Sequence, residues 1–108
     1  MTKDSGEVAA LDQATADFIG ALASRTRQRM MFQFAGGVEL TVGEVAERCG
    51  LKPSTASEHL SLLRRGGLVV SRKEGREVFH RADGRAMSER LSALQAYLAV
   101  CCPPGAAC

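Results

Sequence analysis

The sequence has little histidine, a residue that is common in active sites and zinc sites. It holds two histidines in 108 residues, and we find no nucleophile paired with a base, no phosphate loop and no useful carboxylate pair. No apolar run approaches membrane-spanning length, and the opening residues lack the basic-then-apolar layout of a signal peptide. These absences argue against an enzyme and a membrane protein, and they predict a cytoplasmic location.

The charge that is present is unevenly distributed. The net charge is +2, but residues 52–81 carry seven basic and three acidic side chains, which gives +4, so the remainder carries −2. A basic stretch on a nearly neutral body is typical of a nucleic-acid contact. The length predicts a single domain over 1–108, with a flexible N-terminus at 1–7 and a cysteine-containing tail at 101–108.

Apolar periodicity predicts a mainly helical chain with one small hairpin. We expect helices at 8–23, 25–35, 42–49, 53–65 and from Asp83 or Ser88 to about residue 100. Ser24 is the expected N-cap of the second helix, and Thr41 with Glu44 forms a capping box for the third. Residues 68–81 read as two strands around a turn at Glu74-Gly75.

Two short helices joined at "CGLK" and followed by a basic hairpin predict a winged helix-turn-helix. The second helix of this motif, at 53–65, turns Ala56, Leu60 and Leu63 towards the core. Its other face is polar, formed by Ser54, Thr55, Ser57, Glu58, Ser61 and Arg64. Arg72, Lys73 and Arg76 of the hairpin can reach phosphates or the adjacent minor groove. The pattern therefore predicts binding to double-stranded DNA, and no cofactor is expected for it.

The segments "ALASRTRQRMMFQF", "LTVGEVAERCGLKPSTASEHLSLLRRGGLV" and "EGREVFHR" resemble the ArsR/SmtB family of metal-responsive repressors over roughly residues 18–82. The resemblance implies a homodimer whose first and last helices pair across the two-fold axis. It also implies an inverted-repeat operator and release when a ligand binds. Ser57 and His59 match the family's Ser-x-His-Leu, which places His59 on the recognition helix. Lys52 stands where a capping hydroxyl is usual, which favours a phosphate contact there. His80 is interpreted as an ordinary wing residue.

The residues themselves also favour a dimer. The first helix is apolar around much of its circumference, and Met87, Leu91, Leu94 and Leu98 form a stripe along the last helix. So short a chain has little core with which to cover both surfaces.

Two sensing sites of this family are missing. Thr41 and Gly43 stand where a Cys-Val-Cys motif would supply thiolates, and residues 83–100 contain no histidine for a zinc site. Cys49 continues the stripe of Val42, Val45 and Ala46, so we expect it to pack in the core.

The tail "CCPPGAAC" gathers the other three cysteines, Cys101, Cys102 and Cys108. A turn through Pro104 and Gly105 would bring Cys108 back towards the pair. Structural zinc requires four donors, whereas three thiolates suit pyramidal trivalent arsenic or antimony, and methylarsenite needs only two. The trio also resembles that of some arsenic-responsive family members. We therefore predict arsenic or antimony as the inducer.

Four alternatives remain open for the tail. Its thiols could be inert, could form a redox-sensing disulfide, could sense another soft metal on the same fold, or could serve a metalloid carrier that binds no DNA. A helix C-terminus disfavours the thiolate, which argues against the redox switch.

Overall fold

The structure, a computed structural model, describes residues 11–105. Within that range the chain forms five α-helices and a two-stranded antiparallel hairpin. The helices are α1 (Gln13–Leu22), α2 (Arg25–Phe32), α3 (Val42–Cys49), α4 (Pro53–Arg65) and α5 (Gly84–Cys101), and the strands are β1 (Val69–Glu74) and β2 (Glu77–Ala82). None of the described helices has the length and apolar character needed to cross a bilayer. The predicted flexible segment 1–7 and Cys108 lie outside the described residues.

Local capping signals set most of the helix starts. Ser24 Oγ accepts a hydrogen bond from the Arg27 amide at 3.2 Å, which confirms the predicted cap of α2. The capping box at α3 is present: Glu44 N donates to Thr41 Oγ1 at 3.2 Å, and Thr41 N donates to Glu44 Oε1 at 2.8 Å. Asp83, rather than Ser88, caps α5.

Two helix boundaries differ from the prediction. Helix α1 begins at Gln13 because Asp12 caps it, accepting from the Thr15 amide at 2.7 Å. Residues 8–10 of the predicted helix lie outside the described residues. Helix α2 ends at Phe32 instead of residue 35, and a 3-10 turn follows at Ala35–Gly37. Gly36 and Gly37 have φ values of 82° and 81°, a region that favours glycine, so no α-helix can continue through them.

The core lies where α1, α2, α3 and α4 meet the base of the hairpin. Its largest fully buried side chains include Met30, Phe34, Leu40, Leu60 and Leu63. Ala56 of α4 is buried together with Leu60 and Leu63, as predicted. This packing fixes α4 on α3 and leaves the opposite side of α4 facing solvent.

The hairpin pairs Val69 with Ala82 and Glu74 with Glu77 at its two ends. The connecting residues are Gly75 and Arg76, one position later than predicted, and Gly75 adopts φ 63°. Leu40 and His80 exchange two backbone hydrogen bonds, of 2.9 and 2.7 Å. The β1–β2 hairpin is the wing of the motif, and the segment before α3 therefore holds the wing at its base.

Helix α5 packs lightly on its own protomer. None of its residues, all of which the structure describes, is fully buried, and Leu91 and Leu98 are 55% and 51% exposed. Arg90 ties α5 to α1 by donating to the buried Thr15 hydroxyl at 3.3 Å. Leu91 and Leu98 of the predicted apolar stripe are therefore available to a second surface, whereas Met87 packs against the core of the same chain.

Candidate nucleic-acid interface

Helix α4 presents the predicted polar face to solvent. Along this face Ser54, Ser57, Glu58 and Arg64 are exposed, while Thr55 and Ser61 are half-buried. Lys52 is exposed at the helix start and makes no side-chain cap, in agreement with the sequence. The structure thus brings these predicted DNA-contacting residues to one side of one helix.

His59 is more constrained than its neighbours on α4. It is half-buried, and its Nδ1 lies 3.1 Å from a guanidinium nitrogen of Arg27. Because a guanidinium only donates, Nδ1 accepts, and the neutral ring carries its proton on Nε2. Arg27 also donates to the carbonyl oxygens of Ala21 (2.7 Å) and Gly20 (3.3 Å). His59 thus links the recognition helix to the α1–α2 junction and keeps one N–H donor; sequence reasoning did not identify Arg27 as its partner.

The wing cations fall into two groups. Arg72 donates to both carboxylate oxygens of Glu39 and to Glu74, each at 2.8 Å, and its guanidinium lies 4.9 Å from the Phe79 ring centroid. The hydrogen bonds from Arg72 hold the pKa of Glu39 below its ordinary value. Lys73 and Arg76 are exposed and form no ion pair within residues 11–105. Two of the three predicted wing cations therefore present an unbalanced charge.

His80 lies on β2 of the wing, as predicted, but its side chain is buried, which the sequence did not indicate. Its side chain is 5% exposed, and Nδ1 donates to the Leu40 carbonyl oxygen at 3.3 Å. Burial lowers the pKa of His80, and the positive charge of Arg64 lowers it further, against the opposing effect of the Leu40 hydrogen bond. His80 is buried because the segment at Leu40 forms a β-bridge with it at the base of the hairpin. These two residues are forty positions apart in the sequence.

The three cysteines that the structure describes occupy different environments. Cys49 is a free, half-buried thiol packed against the core, as predicted. Cys101 ends α5 as an exposed free thiol, whereas Cys102 is half-buried, disulfide-bonded and caps the helix through its amide, which donates to the Leu98 carbonyl at 2.9 Å. The turn at Pro104–Gly105 is present. No cluster of three metal-ligating side chains occurs among the described residues, and Cys108 is not one of them.

A groove of about 300 Å³ adjoins the end of α5. It is lined mainly by apolar side chains, from Leu94, Gln95, Leu98, Ala99, Cys102 and Pro104. Cys102 therefore borders an apolar groove that Leu94 and Leu98 of the apolar stripe also line.

Comparisons with known proteins agree with this geometry. A helix-turn-helix domain family matches residues 22–72. The transcriptional activator HlyU of Vibrio cholerae is 39% identical over 77 residues, which cover 68% of this chain and 70% of HlyU. The transcriptional regulator CmtR of Mycobacterium tuberculosis is 41% identical over 81 residues, covering 74% and 68%. The chain spans about two-thirds of the length of the curated relatives it matches.

Solved structures share the fold. The homodimeric winged helix-turn-helix domain of Mb0332 from Mycobacterium bovis, described as a possible ArsR-family regulator, is 32% identical, with a TM-score of 0.68 and coverage of 89% and 88%. A possible transcriptional regulator for arsenical resistance is 30% identical, with a TM-score of 0.64 and coverage of 75% and 83%.

Fold and site thus define a winged helix-turn-helix protein of the DNA-binding class. The chain belongs to the ArsR family of transcriptional regulators. That family consists of DNA-binding regulators, which confirms that the protein is not an enzyme.

Proposed function

We propose that the protein is a homodimeric repressor that binds an inverted-repeat operator and leaves it when trivalent arsenic or antimony binds the C-terminal thiols. The observation that carries this proposal is the placement of Cys101 and Cys102 at the end of α5, the helix whose apolar stripe is exposed. The solved relative described for arsenical resistance supports the choice of ligand.

The proposed DNA contacts follow from the two exposed elements. Each protomer places α4 in a major groove, and the two-fold axis sets the recognition helices about one helical turn apart. Ser57 and His59 are assigned to recognition, and Lys73 and Arg76 to the backbone. The further contacts proposed are Lys52, Ser54, Thr55, Glu58, Ser61, Arg64 and Arg72. Arg72 must exchange its carboxylate partners for a phosphate, so its net contribution is smaller than that of Lys73.

The proposed inducer site consists of Cys101, Cys102 and Cys108. Arsenite, As(OH)₃, exchanges its three hydroxyl groups for three thiols and releases three molecules of water. Cys102 must be reduced before it can take part, since a disulfide sulfur is not available for this exchange. A low-molecular-weight dithiol would supply the two electrons and two protons and become a disulfide itself. Methylarsenite forms two such bonds, and the apolar groove beside Cys102 suits its methyl group.

Inducer binding must weaken DNA binding in order to signal. Couplings between sites typically amount to about 1–3 kcal/mol, or roughly 5–150-fold in affinity. Helix α5 contributes to the proposed dimer interface, so ordering the tail on arsenic would shift the helix that sets the separation of the two recognition helices.

The deciding experiment is a gel shift with reduced protein and a duplex selected from a random pool, with arsenite or methylarsenite added. Cys101→Ser and Cys102→Ser should retain DNA binding and lose release. Cys108→Ser should impair the response to arsenite more than that to methylarsenite. Cys49→Ser is the matched control and should respond like the parent. Release by arsenite after removal of all three tail cysteines would place the sensor elsewhere, and absence of salt-sensitive duplex binding would favour a metalloid carrier.

A thiol–disulfide switch on the same fold is the second candidate, favoured by the disulfide at Cys102. Two thiols would form one disulfide and give two electrons and two protons to a peroxide. Hydrogen peroxide would then become two molecules of water, and an organic hydroperoxide would become one alcohol and one water. In that case oxidation alone would release the DNA, and the reduced protein would ignore arsenite.

A further inference from the structure

A cavity of about 460 Å³ separates α4 from the hairpin. Its lining combines apolar side chains with two hydroxyls, a guanidinium and an imidazole, contributed by Val42, Ser57, Leu60, Arg64, Ser71, Val78 and His80. None of these lining residues is a carboxylate, so the lining does not neutralise the guanidinium. This chemistry is that of an anion site.

Arg64 is the charged group of the cavity. It is exposed and forms no ion pair with any residue between 11 and 105, in contrast to Arg72, which has two carboxylate partners. His80 forms part of the wall and is nearly fully buried, with Nδ1 engaged by the Leu40 carbonyl. Arg64 is therefore the cation that an incoming anion would meet.

The position of the cavity indicates which anion this is. In a winged helix, the recognition helix enters the major groove and the wing lies towards the adjacent minor groove. The DNA strand that separates those two grooves must therefore cross the gap between the two elements. Guanidinium and hydroxyl groups are the usual protein contacts to phosphate oxygens.

We propose that this cavity seats one phosphate of the DNA backbone, bound by the guanidinium of Arg64 and the hydroxyls of Ser57 and Ser71. The assignment rests on the proposed DNA-binding function and deepens it. It adds Ser71, which the sequence did not single out, and it gives Ser57 a backbone contact that sets the register of the recognition helix in the groove.

The test compares Arg64→Gln with Arg65→Gln on the selected duplex and on an unrelated duplex, between 50 and 200 mM salt. Both changes remove one positive charge from adjacent exposed positions of α4, but Arg65 does not line this cavity. Arg64→Gln should bind both duplexes about tenfold more weakly. The slope of log K against log salt should fall by about 0.9, the value for one phosphate contact. Arg65→Gln should stay close to the parent.

A second measurement locates the phosphate. Neutral methylphosphonates are placed singly along each strand of the selected duplex. One position per half-site should weaken the parent strongly and Arg64→Gln hardly further, and Ser71→Ala should show the same pattern more weakly. Unfolding temperatures of the variants check that each remains folded.

The contrary outcomes are distinct. Equal slopes for Arg64→Gln and Arg65→Gln, or additive losses at every methylphosphonate, would overturn the phosphate seat. Saturable, Arg64-dependent binding of inorganic phosphate with an unchanged DNA salt slope would make the cavity a site for a small free anion and overturn the assignment to DNA. A parent protein that binds no duplex would overturn the proposed function, and with it the assignment of this cavity to a DNA phosphate.

Discussion

At the scale of single residues, His80 shows how burial changes the role of a side chain. Its imidazole is nearly fully buried against Leu40, and burial lowers the pKa of His80 below the ordinary value of 6.5. The folded protein therefore binds this proton less readily than the unfolded chain does. The free energy of unfolding therefore decreases at pH values where the unfolded chain binds this proton and the folded protein does not.

This decrease can be measured. As pH falls below about 6.5, the unfolded state takes up the proton first, so the free energy of unfolding decreases until pH passes the lowered pKa of the folded state. His80→Gln should lack this component between about pH 7 and pH 5. Urea denaturation of both proteins across that range tests it. His59 is present in both proteins, so the difference between the two curves isolates His80, and parallel curves would contradict the expectation.

At the scale of elements, the three cations of the wing play two different roles: one stabilises the hairpin, and two face solvent. Arg72 is bound by Glu39 and Glu74 and stacks on Phe79, whereas Lys73 and Arg76 face solvent. Pairing with Glu39 anchors the hairpin to the segment before α3. The wing is therefore held in place by the same arginine that the sequence assigns to DNA.

Replacing both Arg72 and Lys73 by Ala should weaken binding to all duplexes and flatten the salt dependence by about 0.9 per lost phosphate contact. Because the charge of Arg72 is already balanced, most of the change should appear in Lys73→Ala alone. Fluorescence anisotropy at several salt concentrations measures the slopes. An unchanged slope in the double variant would mean that the wing does not touch the backbone.

The elements also show where sequence reasoning succeeds. The caps at Ser24 and Thr41 and the end of α3 at Gly50 were predictable because they depend on residues within one turn of each other. The burial of His80 and the pairing of Arg72 were not, since their partners Leu40 and Glu39 lie 40 and 33 positions away. The three-thiol site stays a prediction, because one of its ligands falls outside the described residues.

At the scale of the whole molecule, the exposed stripe of α5 is the main evidence for a second subunit. Leu91 and Leu98 are about half exposed, and burying apolar area contributes roughly 25 cal/mol per Å². Sedimentation at micromolar concentration should show a dimer. Leu91→Glu with Leu98→Glu should shift it to monomer and weaken operator binding, because a single protomer reads only one half-site.

Ala96→Glu is the matched control for that experiment, since helical periodicity places residue 96 on the opposite side of α5 from Leu98. It should remain dimeric. A folded monomeric parent at the same concentration would contradict the proposed assembly.

The backbone bridge between the wing and the segment before α3 has a consequence for signalling. Two hydrogen bonds join the His80 backbone to Leu40, so the base of the hairpin moves together with the helix-turn-helix. Each protomer then contacts its half-site with a fixed arrangement of α4 and the hairpin. Under the proposed function, arsenic leaves that arrangement unchanged and alters the distance between the recognition helices of the two protomers. Induction would therefore alter which number of base pairs between half-sites is tolerated, while the preferred half-site sequence stays the same.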